Sequence, residues 1–89
     1  MFDEHDYVTF QVSAKTYAGF KYPIPKIIAN NMTSDDIVIE LKNYMKNFFE
    51  SHNLYLLKDG INNLNLHMHD TAPFKQDVIY VCDHSHSHS

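Results

Sequence analysis

The sequence predicts a single α+β domain: a mixed sheet of four or five strands packed on one long helix. Three observations predict it. Residues 7–14, YVTFQVSA, alternate apolar and polar with the two-residue period of a half-buried strand. Residues 30–50 carry apolar side chains at helical spacing behind a strong start signal. Residues 77–82, DVIYVC, are apolar on both faces, as a central strand is.

In the first strand Val8, Phe10, Val12 and Ala14 share one face, and Tyr7, Thr9, Gln11 and Ser13 share the other. TYAG, residues 16–19, reads as a turn ending on Gly19. Residues 20–28, FKYPIPKII, are expected to run back as the second strand of a hairpin. Pro23 and Pro25 fall on one parity and confine that strand to a sheet edge.

The helix opens at Thr33 or Ser34, with Asp35 and Asp36 at the positive end of its dipole. Ile37, Leu41, Tyr44, Met45 and Phe48 form its inward stripe, Lys42 and Lys46 lie towards its C-terminal half, and a stop falls near ESHN. Phe10, Phe48 and Phe49 are the aromatic core candidates. LYLL, residues 54–57, reads as a short third strand, followed by a turn at Gly60 and a weak strand around residues 64–68. The last strand is expected in the middle of the sheet, beside the first. A hairpin, one long helix and a returning central strand form the β-grasp pattern. Residues 1–6 and 84–89 are expected to be flexible ends of a domain spanning residues 7–83.

Composition narrows the function. Eighty-nine residues suit one domain, and 44% hydrophobic content suits a packed core. The net charge is −4, and all seven basic residues are lysines. An acidic chain without arginine lacks the footprint of a nucleic-acid binder, so no nucleic-acid partner is expected. A basic protein partner suits that charge. No apolar run approaches the length of a membrane span. A lone cysteine, Cys82, points to a reducing compartment, and the acidic start MFDEHDY does not resemble a leader, so the expected location is cytoplasmic.

Over residues 7–82 the element order resembles ubiquitin-like proteins. VTFQV in the first strand, Thr33 ahead of the helix and KDGINN after residue 57 resemble the ubiquitin-fold modifier family. IELKNYMKNFF in the helix and VIYVC in the last strand resemble the autophagy ubiquitin-like modifiers. Modifiers of these families are joined to targets through a C-terminal glycine. The chain has only Gly19 and Gly60, and Gly60 precedes the last strand. The resemblance therefore implies non-covalent association with a larger partner, with no covalent conjugation expected. It also implies docking on the outer sheet face.

If Leu54 and Leu56 face the helix, Tyr55 and Leu57 face out. If Ile79 and Val81 face the helix, Val78, Tyr80 and Cys82 face out beside them. Tyr55, Leu57, Val78 and Tyr80 are thus the expected partner-binding anchors, in an apolar patch of the kind that marks interfaces. An open edge at the second strand offers strand addition as another docking mode, which Pro23 and Pro25 would oppose.

No catalytic set assembles, so no enzyme activity is expected: Cys82 has no fixed base, and Asp35 and Asp36 are explained by a helix start. No cofactor is expected. His67, His69 and Asp70 read as polar positions on a short edge strand, with a small metal site as the alternative. The tail HSHSHS reads as a solvated end, with metal binding through His84, His86 and His88 as the alternative. A further reading is a small viral or phage protein, structural or binding a host factor. Asparagine, lysine, isoleucine and tyrosine usage is what an AT-rich genome produces.

Overall fold

A computed structural model describes residues 4–14 and 17–83. A 3-10 turn, Glu4–Asp6, leads into β1, Tyr7–Val12. The alternation of β1 is realised as read: Val8, Phe10, Val12 and Ala14 are buried, and Tyr7, Thr9 and Gln11 are half-buried on the opposite face. The turn after β1 closes on Gly19, whose φ of 98° lies in the left-handed region that glycine enters freely. Its N–H donates to Val12 O at 3.1 Å, while the Val12 N–H donates to Phe20 O at 2.8 Å. Two residues thus face one, which is a glycine bulge.

β2, Lys21–Pro25, pairs antiparallel with β1, Thr9 opposite Pro23 and Phe10 opposite Tyr22. The bond to Phe20 O sets the parity, so even-numbered residues of β2 address β1 and Lys21, Pro23 and Pro25 address the outside. The prolines cost no ladder bond because their missing N–H groups point away from the sheet. The strand was expected to run to residue 28. It stops at Pro25, and Lys26–Ala29 form a one-turn helix, α1, that exposes Ile27 and Ile28 and buries Ala29.

The main helix, α2, is Ser34–Ser51. Thr33 caps it with a full capping box: the Asp36 N–H donates to Thr33 Oγ1 at 3.0 Å, and the Thr33 N–H donates to Asp36 Oδ2 at 3.4 Å. Removing the hydroxyl leaves orphan donors on an exposed turn. Thr33→Ala is expected to lower stability by about 1 kcal/mol in urea denaturation. An unchanged midpoint would mean that water replaces the cap at no cost. The buried stripe of α2 is Ile37, Leu41, Met45 and Phe49. Phe48 is only half-buried and Tyr44 is exposed at the rim, so the buried stripe keeps Ile37, Leu41 and Met45 and is completed by Phe49.

At its end Asn53, with φ 60°, turns the chain left-handed. The Asn53 N–H donates to Glu50 O and the Leu54 N–H to Phe49 O, the two bonds of a Schellman stop. This motif redirects residues 54–57. The expected third strand is absent there, and Tyr55–Gly60 form a short helix, α3, packed against α2. Leucine, tyrosine and lysine are tolerated or favoured in helices, and an apolar run of four carries no period that separates helix from strand. A 3-10 turn, Ile61–Asn63, follows, then β3, Leu66–Met68, and β4, Val78–Asp83.

The sheet has four strands in the order β2-β1-β4-β3. β4 runs parallel to β1 and antiparallel to β3, so the last strand is central, as expected. Helix α2 closes one face over Val8, Phe10, Val12, Ile79 and Val81 in a single core. Phe74 seals it edge-on to Phe10, ring centres 5.4 Å apart. This α+β architecture, a mixed sheet with one main helix, is compatible with the β-grasp expectation.

Candidate functional site

The four expected anchors divide between two surfaces. Val78 and Tyr80 stand where the register placed them. Ile79 and Val81 are buried, and Tyr80 on the outer sheet face is 56% exposed. Val78 aligns with Thr9 and Tyr80 with Gln11 on β1, which gives the outer face an apolar and hydroxylated centre. Tyr55 and Leu57 are not beside them. They belong to α3, which packs on the helical side of the sheet, so the single sheet-face patch expected from the sequence is not formed.

The second surface is more apolar than the first. Leu54, Tyr55, Leu56 and Leu57 are four consecutive exposed residues, and Leu56 is 89% exposed. With Asn53 they line a shallow depression at the α2–α3 junction. Lys58 reaches back over the Tyr55 ring, 5.2 Å from its centre, and lies 3.6 Å from Glu50. The run is anchored from below: the Tyr17 hydroxyl donates to Leu57 O at 3.0 Å, and the Tyr17 ring packs on Phe49. Gly60 lies directly under that hydroxyl, where a Cβ would collide with it. The run is thus tied to the core through Tyr17. Leu54 and Leu56 were expected to face the helix, but both are exposed because the segment is helical and not a strand, and Tyr17 was not singled out from the sequence. A Tyr–Leu–Leu run directly after a helix stop was the available signal.

A third feature is a groove of about 380 Å³ between the glycine bulge and α2, lined by Ala18, Gly19, Phe20, Lys21, Tyr44 and Phe48. Tyr22 stacks on Tyr44 at its rim, 5.3 Å between centres. Beside it runs the open edge of β2. Facing outward that edge presents the carbonyls of Lys21 and Pro23, but only Lys21 supplies a donor. Strand addition needs alternating donors and acceptors, so this edge is a poor template for it.

The histidines fall in two groups. His67 and His69 are exposed on either side of buried Met68, their rings 5.8 Å apart. Asp70 is exposed beyond them. Cys82 is half-buried on the outer face. Among the described residues no group of three His, Cys, Asp or Glu side chains is placed so that it could hold a metal ion. His84, His86 and His88 lie outside the described residues.

One electrostatic tie joins the chain start to the α1 corner. Asp77 accepts from Lys26 Nζ at 3.0 Å and from His5 Nδ1 at 2.9 Å. The Lys26 bond first, and the His5 bond second, hold its carboxyl below the usual value. A carboxyl depressed by folding contributes stability above its unfolded value, and that contribution is lost as pH falls through the carboxylate range to the folded value. Acid titration is therefore expected to destabilise the wild type more steeply than Asp77→Asn on that limb. Parallel acid limbs in the two melts would contradict the tie.

Among the described residues no helix is long and apolar enough to cross a membrane. No family model, curated protein or solved structure matches the chain. The functional reading therefore stands on the surface described above.

Proposed function

We propose that the chain is a non-enzymatic protein-binding module of the ubiquitin-like β-grasp kind, associating non-covalently with a larger partner in the cytoplasm. The observation that carries this reading is the supported apolar run Leu54–Leu57. Contiguous apolar side chains standing out from a folded surface lose unfavourable contact with water when another molecule covers them. Tyr55 and Leu57 remain docking residues in this reading, now with Leu54 and Leu56. Val78 and Tyr80 form a separate, secondary surface. The net charge of −4 favours a partner whose apolar patch is rimmed by basic residues. The resemblance to autophagy modifiers adds a candidate setting, in which the partner is a scaffold protein of that machinery.

Affinity capture from extracts of the native cells tests the proposal. The captured partner is expected to come away on denaturing electrophoresis, and to be lost with Leu56→Asp while Tyr80→Ala retains most of it. A partner that stays attached after denaturation overturns non-covalent association. A partner lost only with Tyr80→Ala moves the site to the sheet face.

A further inference from the structure

The outer face of the sheet carries a second constellation, independent of the apolar run. β3 and β4 pair antiparallel with His67 directly opposite Cys82 and Met68 opposite Val81. Met68 and Val81 are buried, so His67 and Cys82 share the outer face. His69, in the bend just after β3, is exposed, and its ring lies near that of His67.

We propose that His67, His69 and Cys82 bind a zinc ion on the outer face of the sheet. The spacing suits the chemistry. His67 faces Cys82 across the β3–β4 ladder, and His69 follows in the bend just after β3, with its ring beside that of His67. Directly opposed Cβ atoms stand about 4.5–5.5 Å apart. A tetrahedral zinc ion takes nitrogen ligands at about 2.0–2.1 Å and thiolate at about 2.3 Å. Two imidazole rings ligating one ion have centres a little over 5 Å apart by that geometry, and those of His67 and His69 are at 5.8 Å. The three groups do not meet at one point in this structure. Closing the site requires the His67, His69 and Cys82 side chains to turn towards one another.

Two neutral imidazoles and one thiolate form a mixed nitrogen and sulfur set that suits zinc over magnesium or calcium. They leave a fourth position for water or another donor. On binding, the Cys82 thiol gives its proton to solvent and the sulfur coordinates as thiolate, so affinity rises with pH. The ion would also fasten the short strand β3 to β4 and change the surface beside Tyr80.

The experiment is a cobalt(II) titration of the full chain, reduced with a thiol-free phosphine and followed by absorption, with zinc then added in competition. One ion per chain is expected, with a near-ultraviolet sulfur-to-cobalt charge-transfer band that zinc abolishes. C82S is expected to lose that band, and H67A/H69A to lose both the band and stoichiometric binding. H84A/H86A/H88A is expected to keep the band. Circular dichroism spectra matching wild type establish that each variant is folded. No charge-transfer band in the wild type, or a band that survives C82S, overturns the site. Binding that vanishes only in H84A/H86A/H88A also overturns it, and assigns the ion to the tail.

Discussion

Phe10→Ala is expected to cost about 3–5 kcal/mol, the range for removing a large aromatic ring from a packed core. Phe10 is fully buried at the centre of β1, with Tyr22 on one side in register, Ile79 on the other, and Phe74 edge-on against it. It links both neighbouring strands to the loop that precedes β4, so the cavity it leaves cannot close by moving one side chain. Domains of this size are stable by only about 5–15 kcal/mol. At about 4–8 °C per kcal/mol for a domain of this length, the melting temperature is expected to fall by more than about 12 °C. Thermal unfolding followed by circular dichroism reads this directly. A loss under about 1 kcal/mol, the ordinary size of a point-mutation effect, would place Phe10 outside the core.

Leu56→Asp is expected to do the opposite: leave the fold alone and remove the partner. At 89% exposure, Leu56 makes little of the core, so its replacement is expected to shift stability by no more than about 0.5 kcal/mol. A carboxylate in the middle of a desolvated contact has no counter-charge. The expected loss of affinity is about 2 kcal/mol or more, roughly thirtyfold, the scale of an interface hot spot. Equilibrium unfolding and a binding isotherm on the same preparation separate the two effects. If Leu56→Asp unfolds the chain, Leu56 is structural. If it binds as tightly as wild type, the apolar run does not dock the partner.

The two predictions bear on what was legible in the sequence. β1 was readable because burial on one face leaves a direct periodic mark, as in Val8, Phe10 and Val12; β4 was placed centrally from a run apolar on both faces, although only its Ile79 and Val81 face is buried. The helix start was readable because Thr33 and Ser34 stand just ahead of Asp35 and Asp36; that Asp36 also closes a capping box with Thr33 came from the structure. The edge position of β2 followed from proline parity. The fate of residues 54–57 was not readable. An apolar run of four has too few residues to show a period, and its conformation was decided upstream by Asn53 turning left-handed. That one local event moved Tyr55 and Leu57 from an expected sheet face to α3, and with them the leading docking surface. Tyr17 was illegible for another reason. Its burial depends on a hydroxyl contact with Leu57 O, forty positions away, which no local pattern encodes. Tyr44 and Phe48 were misplaced inward because neighbouring positions on a helix differ by 100°, and the aromatic residues of β2 and the bulge, Phe20 and Tyr22, hold them at the rim.

The most direct test of the docking surface is amide hydrogen exchange, measured for the chain alone and for the chain saturated with its captured partner. Added protection is expected to concentrate in residues 53–60, with the strands β1 and β4 unchanged because they are already slow. Protection confined to β2 and the groove beside it, with residues 53–60 exchanging as in the free chain, would contradict it.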